Sequence, residues 1–342
     1  MTPPTPSAAA PLEVTEESAE KSITSPAPSA NESKSPGQLA WRRFKRDRTG
    51  VIAACIVIFF FVVALCAPLI AKLYGKDPYT TYGFSTPGLL GDNGFPVKPN
   101  GGIDSEFWFG VEPGLGRDVF TFLLYGIRNS LLIATAITVL VVIIGVVIGV
   151  TAGYVGGKTD WFIGRVIDIL LAFPSQLFFV AFTPVVIALF VAPDENTPVW
   201  LTVACLIGLL TIFGWASIAR LLRGQVLALR EREFVEAAKV TGASPARIIF
   251  KELLPNLWTP ILIQATLNLP MMVTTEAGLA FLGVGLDEST PDWGVMIGRA
   301  AQIYQDDITF LLFPGVSMVI FVLAFNLLGD SVRDALDPKT KR

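Results

Sequence analysis

Six runs of roughly twenty apolar residues constrain this chain more than any other feature of its sequence. A helix rising about 1.5 Å per residue needs roughly 20 residues to cross about 30 Å of hydrocarbon. In hydrocarbon only a helix or a closed barrel satisfies every backbone polar group. The runs cover 51–71, 130–151, 162–191, 199–222, 257–284 and 309–328, the third interrupted by Pro174 and Pro184. Charged residues make up 16% of the 342, against about 25% in a soluble domain, which excludes a single large soluble core. The sequence predicts an all-α polytopic membrane protein with six transmembrane helices.

Basic residues set the orientation. With the N-terminus inside, the inner side holds 20 Lys and Arg and the outer side 6, as the positive-inside rule requires. Both termini are then cytoplasmic. Residues 1–38 are rich in Pro, Ser, Ala, Thr and Glu and poor in large apolar side chains, the composition of a disordered cytoplasmic tail. They carry no early apolar stretch of the kind a cleavable signal needs. Residues 39–118 read as a transmembrane anchor with an irregular, packed outer loop from 72 to 118. Residues 119–338 form a core of five further helices, and 339–342 a short C-terminal tail. The basic run Trp41, Arg42, Arg43, Phe44 and Lys45 serves either as a topological signal or as an amphipathic segment at the inner leaflet. Near 291–305, Trp293, Met296, Ile297, Ala300 and Ile303 share one helical face behind a Thr290-Pro291 cap, which predicts a helix in the membrane interface.

Several chemistries are absent. The chain has no histidine, which removes His-based metal sites and His-dependent nucleophilic catalysis. Its three cysteines, Cys55, Cys66 and Cys205, all lie in apolar runs. Cys55 and Cys66 are about 16 Å apart on one helix and cannot bridge. The segment Gly153-Tyr154-Val155-Gly156-Gly157-Lys158-Thr159 imitates a phosphate-binding loop, but it is one residue short before its Gly-Lys-Thr and follows a membrane helix rather than a strand. Gly145, Gly149, Gly153 and Gly157 instead recur every fourth residue, a ridge for close helix packing.

The 231–256 loop faces the cytoplasm. Its first half reads as a helix stopped by Gly242, where a left-handed residue is easily accommodated. A second helix starts at Ser244 as cap with Pro245 in first position, and Pro255 is expected to stop it. The small Ala237 and Ala238 leave a surface flat enough to enter a partner's groove. Within the spans, Arg165 and Asp168 are spaced to pair, as a structural pair or as part of a gate. On the fifth span, Asn268, Met271, Met272 and Glu276 are candidates to line a pathway, with helix-to-helix hydrogen bonding as the alternative for the polar ones.

Glu236-Ala237-Ala238, then Gly242, then Leu254-Pro255 resemble the EAA loop of binding-protein-dependent ABC importer permeases. Glu252 stands where many members have isoleucine. Leu115-Gly116-Arg117-Asp118, Leu124-Tyr125-Gly126, Ala172-Phe173-Pro174, Glu276 through Gly285, and Pro291-Asp292-Trp293-Gly294 are similar to segments of the dipeptide, oligopeptide and nickel permeases of the DppC/OppC type. Ala280 replaces the serine usual before Phe-Leu-Gly, and Val284 the usual leucine. The likeness spans roughly residues 40–338.

That resemblance implies the type I ABC importer permease fold and a non-catalytic subunit of a bacterial inner-membrane importer for peptides or related solutes. Glu236, Ala237, Ala238, Gly242, Leu254 and Pro255 would couple it to the ATPases. Its implied partners are a second related permease, two ABC ATPase subunits, an external solute-binding protein and the lipid bilayer, with no nucleic acid. No cofactor belongs to this chain, ATP and Mg being held by the ATPases. A secondary transporter driven by an ion gradient is the alternative; it calls for inverted repeats and paired broken helices, and no repeat of convincing length is found. A membrane enzyme would have only acidic pairs such as Asp306-Asp307 to work with.

Overall fold

The computed structural model describes residues 36–192, 195 and 197–336. Most of the predicted N-terminal tail, residues 1–35, and the C-terminal residues 337–342 lie outside them. The described residues form helices and loops, with two isolated bridges and no strand. The helices of eight residues or more are α1 (Pro36–Arg46), α2 (Arg48–Tyr74), α3 (Val119–Val155), α4 (Gly157–Ala172), α5 (Ser175–Ala188), α6 (Val199–Leu229), α7 (Glu233–Val240), α8 (Leu254–Phe281), α9 (Trp293–Ile303) and α10 (Thr309–Leu336), and short helical turns lie at Tyr82–Ser85, Pro99–Gly102 and Pro245–Arg247.

Four of them, α2, α3, α6 and α10, are long and apolar enough to cross a membrane, and the pair α4–α5 makes a fifth if counted as one bent span. The predicted count of six is therefore not matched helix for helix. The fifth predicted span, α8, has the length, at 28 residues. It is too polar to qualify, because Asn256, Gln264, Asn268, Glu276 and three prolines interrupt its apolar residues. It packs against α3, α9 and α10, and a helix enclosed by protein need not be apolar all round.

Helix α2 shows how the sequence divides lipid from protein. Asp47 caps it, accepting from the Thr49 N–H at 3.2 Å, and Gly75 ends it at φ 80°. Its buried stripe is Ala53, Val57, Phe60, Ala64, Ala67 and Ala71, at helical spacing, whereas Ile58, Phe59, Leu65 and Leu69 point outward. Small residues bring neighbouring helices close and large ones are left for lipid. The glycine ridge works the same way between α3 and α6. A Cβ on Gly149 would lie 2.6 Å from the Ala219 carbonyl oxygen, and one on Gly153 2.9 Å from that of Arg223. Gly157 does not belong to the ridge: at φ 58°, with open space around it, it follows the break at Gly156 that starts α4.

The third predicted span is not continuous. α4 and α5 meet at 87° across Phe173-Pro174. Phe173 is extended (φ −83°, ψ 134°), as the residue before a proline prefers. At 16 and 14 residues, the halves are about 24 and 21 Å long and neither crosses about 30 Å alone. Pro255 is a second departure. It does not stop the helix that Ser244 starts but sits in the first turn of α8, behind a π-helical stretch, Ile248–Leu253, in which the Leu254 N–H reaches back to the Ile249 carbonyl. A first-turn proline loses only an N–H that would be unpaired anyway.

The 75–118 segment is largely irregular and packed. The Tyr74 hydroxyl donates to the Glu106 carbonyl at 2.8 Å, and the Trp108 N–H donates to it at 3.0 Å. Phe109 stacks on Phe313 of α10 with ring centres 4.0 Å apart. The predicted interfacial helix exists as α9, with two differences. Its cap is Asp292, not the Thr290-Pro291 pair, and Trp293, Met296 and Ala300 are fully buried against the other helices. Its apolar face is turned into protein, not left for lipid.

Candidate functional site

The 231–256 projection is built by the end of α6, by α7 and by the start of α8. Arg230, which ends α6, donates from Nη1 to the Gly153 carbonyl of α3 at 3.1 Å, tying the projection to the helix core. Val235 on α7 and Ile248 and Leu253 on the π-helical stretch are fully buried and anchor it. Gly242 turns the chain at φ 78°, and the Ser244 hydroxyl caps the next helix by accepting from the Arg247 N–H at 3.3 Å.

The six motif residues divide into two groups. Glu236, Ala237, Gly242 and Pro255 are exposed, whereas Ala238 and Leu254 are half-buried and pack on the core. The expected flat surface of two alanines is thus carried by Ala237 alone. Two apolar residues that the motif does not include join the exposed surface. Val240, 89% exposed, shares the outer face of α7 with Glu236 and Ala237, and Phe250 on the next turn is 68% exposed. Both side chains are open to a partner. Their signal in the sequence is weak, because a lone valine inside a helical pattern reads as core.

On α8, Asn268, Met272 and Glu276 lie four residues apart on one face, and that face is turned inward. Asn268 donates to the Gln264 carbonyl one turn back at 2.8 Å. Glu276 is fully buried beside Asp292 and Ser130, and neither of its carboxyl oxygens makes a hydrogen bond. Of the four pathway candidates only Met271 faces outward, with Thr274 and Gly278 along the same open face.

Asp292 is the buried group that joins this region together. It accepts from the Ser130 hydroxyl of α3 at 2.5 Å and from the N–H groups of Gly294 and Val295 at 2.8 and 3.2 Å. Burial pushes its carboxyl above the usual range, and those donors oppose the shift.

Arg165 and Asp168 are 3.8 Å apart, but the closer partner of Asp168 is Arg220 of α6, at 2.6 Å. One turn along α6, Arg223 grips both carboxyl oxygens of Asp160. α4 is therefore strapped to α6 by two ion pairs. Spacing along one helix could suggest the Arg165 pair, but not partners 52 and 63 residues away.

A third ionic cluster lies at the other end of the chain's long helices. Glu112 and Arg117 are 1% and 3% exposed. The Arg117 guanidinium donates to both Glu112 oxygens, at 2.5 and 3.0 Å, and Nη2 of Arg299, on α9, lies 2.9 Å from one of them as an ion pair. Arg117 also reaches the Glu288 carbonyl at 3.1 Å. Among the described residues no group of acidic and cysteine side chains could hold a metal ion.

Comparison with known proteins places these features in context. Residues 145–342 match the family described as binding-protein-dependent transport system inner membrane component, and residues 35–87 match the N-terminal TM domain of oligopeptide transport permease C. The chain is 36% identical over 307 residues to the dipeptide transport system permease protein DppC of Alkalihalophilus pseudofirmus, covering 90% of this chain and 91% of that one. It is 36% identical over 308 residues to the glutathione transport system permease protein GsiD of Escherichia coli, covering 90% and 92%. Among solved structures, the inward-facing MetNI methionine ABC transporter aligns at 23% identity and a TM-score of 0.47, over 63% of this chain and 96% of that one.

Proposed function

Since the chain belongs to the binding-protein-dependent transport system inner membrane component family, as a non-catalytic, multi-pass permease of an ATP-driven importer, we propose that it carries peptides or closely related solutes and is driven through the 231–256 projection. The names of its relatives, a dipeptide and a glutathione permease, support that cargo class. The partners in this reading are a second related permease, two ABC ATPase subunits that hold ATP and Mg, and an external binding protein. The projection and both termini face the cytoplasm, in line with the excess of basic residues on that side.

The observation that carries the reading is the split of the projection into an anchored face and an open one. Val235, Ile248 and Leu253 fix it to the core, and Glu236, Ala237 and Val240 stand free. The projection continues directly into α6 and α8, of 31 and 28 residues. A push on the open face would therefore be carried as a rigid movement along about 40 Å of helix. The Arg220–Asp168 and Arg223–Asp160 pairs would make α4 follow α6, which brings the movement to the Phe173-Pro174 bend. Met271 and Thr274, on the open face of α8, are the pathway-facing positions in this reading. The secondary-transporter alternative has no observation in its favour.

Affinity purification of the tagged chain from native membranes in mild detergent tests the partner set. The expected result is co-recovery of a sister permease, two ATPase copies and a solute-binding protein. A chain recovered alone, from membranes that still accumulate peptide, would contradict it.

A further inference from the structure

A cavity of about 660 Å³ opens at the end of α8 away from the cytoplasmic projection, between the 283–289 loop, the start of α6 and α9. That volume falls within the roughly 300–1,000 Å³ typical of small-molecule sites. Asp287, Glu288, Ser289, Arg299 and Gln302 supply much of its polar lining. Two smaller cavities meet it at Glu288 and Arg299.

The counter-ions of Arg299 are a shared one and a distant one. Two guanidinium groups, those of Arg117 and Arg299, share the single buried carboxylate of Glu112. Arg117 takes both of its oxygens, and Arg299 shares one through Nη2. The other terminal nitrogen of Arg299, Nη1, has as its nearest carboxylate Glu288, 3.9 Å away and beyond hydrogen-bonding distance, on a side chain 74% exposed. Arg299 thus lines a cavity whose two carboxylates do not hydrogen-bond it: Glu288 is loose and solvent-facing, and Asp287 accepts from the Ser289 hydroxyl and N–H. A planar guanidinium with free donors is the side chain best shaped to take a carboxylate.

We propose that Arg299 receives a carboxylate of the transported solute in this cavity, and that Glu288 holds the place until the solute displaces it. The proposal rests on the importer reading and specifies the chemistry of its cargo: a small solute with a free carboxylate, as at the C-terminus of a peptide. Its location suits entry, since it lies at the opposite end of α8 from the surface assigned to the ATPases. Arg299→Gln leaves the Glu112–Arg117 pair in place, so the fold survives the test.

The test is thiol protection in the assembled complex. Gln302→Cys is placed in a chain whose Cys55, Cys66 and Cys205 are replaced by alanine, and labelling by a membrane-impermeant thiol reagent is followed as dialanine is added. Dialanine is expected to slow labelling. The concentration needed rises about tenfold or more when Arg299→Gln is added, or when the C-terminal amide of dialanine is used, as for loss of one charge-assisted contact. Glu288→Gln shifts it the other way, by removing the competing carboxylate, which a misfolded variant would not do. Absence of protection, or protection indifferent to Arg299→Gln and to amidation, overturns the proposal, as does a Glu288→Gln variant that weakens protection. ATP-driven uptake by the same complex reports on the importer reading separately: uptake without protection removes only the carboxylate receptor.

Discussion

Ala237→Arg is expected to reduce uptake by about a hundredfold or more, as a roughly 3 kcal/mol loss at the centre of an interface would, while leaving the amount of protein in the membrane unchanged. Ala237 is exposed on α7 and contributes nothing to the core, so an arginine there has room in the isolated chain. It would fill the contact surface that Ala237 shares with Glu236 and Val240. The neighbouring substitution is the control. Ala238 packs on the core, so Ala238→Arg is expected to lower the membrane level as well as uptake. Gly242→Asp should fall between the two. Its Cβ would meet nothing within 4 Å, and the cost is confined to the left-handed backbone at φ 78°, roughly 1–2 kcal/mol. Immunoblotting of membranes beside an uptake assay separates these outcomes. Normal uptake by Ala237→Arg would remove α7 from the coupling surface.

The second large effect is on stability. Glu112→Ala takes away the one buried carboxylate that serves both Arg117 and Arg299, and leaves the Arg117 charge 3% exposed and unpaired. Breaking a buried pair from one side typically costs about 3–5 kcal/mol. Arg117→Met should cost less, because Arg299 still answers the Glu112 charge. The order of the two variants in thermal unfolding of the purified complex checks this, with Glu112→Ala expected lower. The reverse order, or no change from either, would show that the buried Glu112–Arg117 pair does not stabilise the 112–117 segment.

The parts of this structure legible from the sequence are those in which one local rule dominates. Hydrocarbon admits little besides helix, so α2, α3, α6 and α10 follow from their apolar runs. Gly145, Gly149 and Gly153 announce a close approach by their spacing, although the partner, α6, is not encoded locally. Gly242 and the Ser244-Pro245 cap fix the turn of the projection, because each needs only its own backbone. What was not legible depends on groups distant in sequence. Pro174 signals an interruption, but the 87° bend depends on what packs around it. Arg220 and Arg223 contribute to the inward count of positive charge, and nothing in their neighbourhood names Asp168 or Asp160. An apolar helix face looks the same in sequence whether lipid or protein covers it, which is why α9 reads as interfacial although Trp293 and Met296 are buried in the core. Glu276 carries the family likeness, but its burial beside Asp292 depends on how α8 meets the start of α9.

The most direct test of the coupling account is solute accumulation by the complete complex in proteoliposomes, with proton and sodium gradients collapsed by ionophores. The account expects accumulation that requires ATP and the binding protein, is indifferent to the ionophores and is lost in Ala237→Arg. Accumulation that proceeds without ATP and stops when the gradients collapse would contradict it.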